Sequence, residues 1–103
     1  MAALDVWSVY LVRTAAGALY TGITTDVRRR VAEHGAGAGA KALRGRGPLE
    51  LVYRKKLGPR ALALRVERRL KALPRAAKEA LVRAAPTRLA LLAHLALDVQ
   101  QEA

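Results

Sequence analysis

The apolar positions of this chain switch between a strand period and a helical one. Trp7-Ser8-Val9-Tyr10-Leu11-Val12 is an aromatic and β-branched run of strand length, and Leu19-Tyr20-Thr21-Gly22-Ile23 is a second. Thr14-Ala15-Ala16-Gly17 supplies a turn between them, so residues 7–23 are predicted to form a β-hairpin. Thr24-Thr25-Asp26 offers capping side chains ahead of a helix that runs to about His34. Gly35-Ala36-Gly37-Ala38-Gly39 ends that helix and opens a flexible loop to about Pro48. Leu49 to Leu57 reads as a third strand. Gly58-Pro59 starts a long helix with the proline in its first turn, and Leu62, Val66, Leu70 and Leu73 give it one buried stripe. Pro74 begins another helix, to about Ala85, and Pro86 a last one in which Leu89, Leu92, Leu95 and Val99 align. The order β-β-α-β-α-α plus a C-terminal helix predicts an α+β fold: one domain over residues 1–85, with 86–103 a helical extension packed on it.

Composition narrows the setting. A chain of 103 residues with 52% hydrophobic content can bury a core, which excludes disorder through lack of apolar residues. The absence of Cys excludes a disulfide framework, zinc knuckles and thiol catalysis. No stretch approaches the ~20 apolar residues of a membrane span and the N-terminus lacks a signal-peptide plan, so a small cytoplasmic domain is expected, without a membrane partner. His34 and His94 are too few and too far apart to predict a transition-metal site.

Charge adds a partner. The formal charge is +11, and residues 28–83 alone carry seventeen bases against Glu33, Glu50, Glu67 and Glu79. Two plainer explanations exist: GC-rich coding, given 14 Arg to 5 Lys, or a surface for anionic lipid. Spread over loop, strand and helix rather than along one helix face, the charge favours a nucleic acid held through its phosphates. The bases expected to meet that backbone are Arg28, Arg29, Lys41, Arg44, Arg46, Lys55, Lys56, Arg65 and Arg68.

A few residues carry possible chemistry. Strand alternation points Tyr10 with Ser8 and Val12, and Tyr20 with Gly22, so two of the three tyrosines can share one side of the hairpin. Taken alone, the pair favours ordinary half-buried strand tyrosines. Gly22 lets another backbone or a phosphate approach closely. On the first helix Arg30 and His34 are i and i+4 beside Val27 and Val31, where an arginine suits a phosphate, unless it merely pairs with Glu33, and His34 equally suits a cap at the helix end. Glu67 stands among Arg65, Arg68 and Arg69, able to hold one hard cation or simply to pair with Lys71. The glycine-rich segment before Lys41 follows a helix and fits neither a Walker loop nor a dinucleotide fingerprint. With no Cys and no base beside Ser8, nucleophilic triads are unsupported.

In combination these positions resemble a known family. Ser8-Val9-Tyr10, ten residues before Tyr20-Thr21-Gly22, is similar to the paired GIY and YIG segments of the GIY-YIG nuclease superfamily. Arg30 follows the second Tyr at the family's spacing, His34 lies four further on, and Glu67 in Ala63-Leu64-Arg65-Val66-Glu67 fills the place of the family's metal-binding acid. Residues 7 to about 83 resemble the small stand-alone bacterial branch, including its Gly39-Ala40-Lys41-Ala42-Leu43-Arg44 loop. The resemblance implies a three-stranded antiparallel sheet flanked by helices and metal-assisted hydrolysis of a DNA phosphodiester, in a setting such as DNA repair. It implies catalytic roles for Tyr10, Tyr20, Arg30, His34 and Glu67: Tyr10 as general base directly or through Tyr20, Arg30 on the scissile phosphate, and Glu67 holding Mg²⁺ or Mn²⁺. The implied substrate is branched or single-stranded DNA, cut with structural selectivity or weak sequence preference. Ile23 replaces the lysine of excision-repair members, and the chain has no Asn where many members place one. A nucleic-acid-binding module without turnover is therefore the alternative. A monomer is expected, with a homodimer face at Leu89–Val99 as the other arrangement.

Overall fold

A computed structural model describes residues 5–97. Its centre is β1 (Trp7–Arg13), flanked by β2 (Leu19–Thr24) and β3 (Glu50–Gly58) in a three-stranded antiparallel sheet of order β2-β1-β3. The helices are α1 (Val27–Gly35), α2 (Arg60–Ala72), α3 (Arg75–Ala84) and α4 (Arg88–His94), with a 3₁₀ turn at Lys41–Leu43. This is the predicted α+β architecture. A central strand is covered on both faces, which explains why β1 reads as a nearly continuous apolar run. Val9 and Leu11 enter a core with Leu62, Val66 and Leu70 of α2, Leu81 of α3, and Leu91 and Leu92 of α4. Tyr10 and Val12 turn to the other face, into a smaller cluster with Val27 of α1 and Leu43 of the 3₁₀ turn. The sheet thus separates an aliphatic core from a face that carries polar groups.

The hairpin closes through Gly17, whose φ of +92° is the left-handed conformation the turn requires. Arg13 donates two 2.8 Å bonds to Glu79 of α3, and Arg75 donates to the Gly17 carbonyl at 2.9 Å, so α3 clamps the turn. Asp26 heads α1 as its sequence position predicts, its carboxylate accepting the Arg29 amide at 3.1 Å.

Several expectations are corrected. Pro59 and Pro74 are N-caps rather than first-turn residues. Thr87, not Pro86, heads α4, because its hydroxyl accepts the Ala90 amide at 3.2 Å and proline has no such acceptor. The α4 stripe is Leu91, Leu92 and Leu95, all buried in the chain's own core, while Leu89 is 73% exposed and Val99 lies outside the described residues. The apolar side of this helix therefore covers the same domain. The glycine-rich segment is not uniformly loose, since Leu43 is only 3% exposed and fastens the 3₁₀ turn beneath Tyr10 and Val12. No described helix is long and apolar enough to cross a membrane.

The two exposed-versus-buried leucines give a direct check by chemical denaturation. Leu43→Ala is expected to cost about 2–5 kcal/mol, and Leu89→Ala no more than about 0.5 kcal/mol. Equal, small losses would mean that the 36–48 segment does not pack on the sheet.

Candidate active site

The register of the hairpin places Tyr10 opposite Gly22 and Val12 opposite Tyr20. Both tyrosines consequently project from one face, with ring centroids 6.4 Å apart. Tyr10 is 1% exposed and its phenol lies flat over the Gly22 backbone, where a Cβ would collide with the ring and hydroxyl. The close approach that Gly22 allows is therefore made by Tyr10 itself.

His34 completes an aromatic triad. Its ring centre lies 5.8 Å from that of Tyr10 and 5.5 Å from that of Tyr20, edge-on to the latter. The ring is buried rather than capping α1, and it sits against Gly39, where a Cβ would strike Nδ1. Two hydrogen bonds assign its proton. The Ala40 amide donates to Nδ1 at 3.1 Å, so Nδ1 is an acceptor and the neutral ring holds its hydrogen on Nε2. Nε2 lies 2.7 Å from the Tyr10 hydroxyl and donates to it. Burial and the positive charge of Arg30 hold His34 below the ordinary histidine range, which keeps it neutral. His34 thus orients the phenol oxygen and leaves the phenol's own hydrogen free to point outward.

Arg30 and Glu67 bring the charges. Arg30 donates to Glu33 at 3.1 Å, as the plainer sequence explanation held, and Glu33 above all, then the phenol of Tyr10, raises its pKa. Glu67 pairs with Lys71 at 3.5 Å, again the plainer alternative, yet its negative charge also reaches Tyr10 from α2. Burial above all, then Tyr20, pushes Tyr10 up to about 12, Glu67 adds to the rise, and Arg30 opposes it. The other four residues singled out from sequence, Tyr20, Arg30, His34 and Glu67, therefore act on the Tyr10 phenol. Among the described residues no cluster of three or more metal-ligating side chains occurs. A lone, partly exposed carboxylate does not fit a transition-metal site, but it does fit Mg²⁺, which keeps most of its waters and needs only one or two carboxylates beside a phosphate.

The predicted phosphate-contacting bases divide. Arg28, Arg29, Lys41, Arg44 and Arg46 are exposed on α1 and the segment after it, and Arg46 lines a cavity beside Tyr20. Lys56 lies opposite Ser8, on the tyrosine face. Lys55 lies opposite Val9 on the reverse face, with its ammonium 6.0 Å from the Tyr53 ring centre. On α2, Arg68 is exposed and Arg65 half-buried. Sequence reading passed over Arg54, which pairs in register with Tyr10 itself. Buried Tyr53 next to it, with strand alternation, was the signal that could have placed it.

Replacing Gly22 tests the packing that creates the site. Gly22→Ala is expected to destabilise by about 1–3 kcal/mol as the phenol is forced aside. The alkaline titration of Tyr10 should also fall from about 12 toward that of an exposed phenol near 10. Unchanged stability and titration would show that the ring does not lie on Gly22.

Known proteins resemble this chain in sequence and fold. Residues 6–80 match the GIY-YIG catalytic domain family. The chain is 58% identical over 78 residues to a UPF0213 protein of Yersinia pestis, covering 76% of this chain and 82% of that protein, and equally to one of Yersinia pseudotuberculosis. The solution NMR structure of a UPF0213 protein from Bacillus halodurans superposes with a TM-score of 0.53 at 38% identity, over 90% of this chain and 99% of that one. With about three quarters of its length matched by the family and relatives at 58% identity, the chain belongs to the GIY-YIG family.

Proposed function

We propose that this protein is a metal-dependent endonuclease that hydrolyses DNA phosphodiester bonds, with branched or single-stranded segments as its substrate. The observation that carries the reading is the burial of one phenol, Tyr10, among Tyr20, His34, Arg30 and Glu67. Tyr10 takes a proton from the attacking water, directly or through Tyr20, as His34 holds its oxygen in place. Arg30 contacts the scissile phosphate and offsets charge that grows in the transition state. Glu67 would hold one divalent ion in place of its contact with Lys71, and such an ion supplies Lewis-acid charge at the phosphodiester. The local cations bind and orient the strand. With one catalytic domain and no separate base-reading module in the described chain, selectivity rests on the shape of the nucleic acid.

A phenol near 12 is about 10⁻⁵ ionised at pH 7, so its phenolate is scarce until a cation or alkali supplies the difference. Cleavage in Mg²⁺ is therefore expected to rise about tenfold per pH unit between roughly pH 7 and 9, because deprotonation of the base limits the rate. A flat profile there would remove Tyr10 from the proton transfer. Tyr10→Phe should lower cleavage by about 10²–10⁴-fold. Glu67→Ala should abolish metal-dependent cleavage yet leave salt-sensitive binding intact. Binding without product in Mg²⁺ or Mn²⁺ would instead establish the non-hydrolytic module.

A further inference from the structure

A second cationic feature adjoins the tyrosines on the same face of the sheet. Between Ser8 and Leu11 the β1–β3 register is regular, with Ser8 opposite Lys56 and Tyr10 opposite Arg54. Directly paired residues of antiparallel strands project from the same face, so Arg54 and Lys56 stand on the side that carries Tyr10. Beyond them lies an open cavity of about 500 Å³, lined by Ser8, Arg28, Arg54 and Lys56 together with Asp5 and Asp26. Its size falls within the range of small-ligand sites.

The charges in this cavity are unequal in availability. Asp26 is engaged in capping α1 through the Arg29 amide. Arg28, Arg54 and Lys56 are exposed, and none forms an ion pair among the described residues. Most other cations near the sheet are occupied: Arg13 and Arg75 by Glu79, Arg29 and Arg30 by Glu33, and Lys71 by Glu67. Three exposed bases against two carboxylates, one of them turned to the α1 cap, leave the concavity net positive, and with a strand hydroxyl they suit a monoanionic, hydrogen-bond-accepting group. A phosphodiester has that chemistry.

Spacing ties the cavity to the site. Ser8 and Tyr10 are two residues apart on β1, roughly 6.6 Å, comparable with one nucleotide of an extended strand. We infer that the Ser8–Arg28–Arg54–Lys56 cavity is a subsite for the phosphodiester next to the one held at Tyr10. The inference rests on the nucleic-acid reading above, and it adds a place where the substrate's neighbouring linkage is held.

The test compares two double variants that remove equal charge. Arg54→Gln with Lys56→Gln alters the cavity. Lys78→Gln with Arg83→Gln alters α3, which packs on the reverse face of the sheet. Binding of a labelled single-stranded oligonucleotide is measured in EDTA, where no metal-dependent cleavage occurs, at several salt concentrations. The cavity pair should weaken binding about tenfold and lower the salt slope by about 0.7 for one lost phosphate contact, whereas the control pair should change little. A neutral methylphosphonate placed at the linkage beside the cut should weaken the parent protein and leave the cavity pair unaffected, the signature of coupled groups. Each single variant should show part of the loss, which guards against misfolding of the pair. Equal weakening by both pairs, or a methylphosphonate effect that persists in the cavity pair, overturns the subsite. The two readings also separate: the affinity pattern without any cleavage in Mg²⁺ keeps the subsite and rejects the nuclease, and cleavage with parental affinity in the cavity pair does the reverse.

Discussion

Laying the Tyr10 phenol on the bare backbone of Gly22 sets the geometry of everything around it. The central strand fixes the ring's direction, the neighbouring strand supplies a surface without a side chain, and the ring then fills the space a Cβ would occupy. His34 needs a second such surface at Gly39, and it reaches the phenol oxygen only because that glycine lets the imidazole in. Two glycines in different parts of the chain thus serve one hydrogen bond. The cost is electrostatic: a phenol so placed resists ionisation.

That resistance gives the surrounding charges their meaning. Tyr20 and Glu67 push the phenol further from ionisation and Arg30 pulls it back, so the site is poised to respond when positive charge arrives beside Glu67. The arginines elsewhere do other work. Arg69 donates to the Leu95 carbonyl at 2.7 Å and Arg88 to the Leu57 carbonyl at 2.8 Å, tying helix ends to the aliphatic core. Arg60 lies over Trp7, and Arg13 grips α3. Part of the basic composition is therefore structural, and exposed bases remain on α1, the segment after it, the tyrosine side of β3, α2 and α3.

The elements and the face shared by the two tyrosines were legible in the sequence for physical reasons, whereas Glu67 entered through the family resemblance. Strand alternation predicted that Tyr10 and Tyr20 share a face, and helical spacing put Arg30 and His34 together. What it hid were relations that depend on tertiary contact. Nothing local distinguishes Gly39 from its neighbouring glycines until the His34 ring is set against it, and Leu43 reads as a loop residue until the sheet face above it is known. Arg54 and Lys55 are adjacent bases in the sequence, yet the pleat sends them to opposite faces. The last helix misled in the same way, since four leucines within seven residues admit more than one stripe, and packing chose Leu91 and Leu92 over Leu89.

The central claim is that Tyr10 and Glu67 belong to one electrostatic site. Its most direct measurement is the titration of Tyr10 by carbon NMR of labelled tyrosine, with and without Mg²⁺, in the parent and in Glu67→Gln. The account predicts a phenol near 12 in the metal-free parent that falls when Mg²⁺ is added, and no Mg²⁺-dependent fall in Glu67→Gln. A Tyr10 that titrates near 10 without metal, or whose response to Mg²⁺ survives loss of the Glu67 carboxylate, would contradict it.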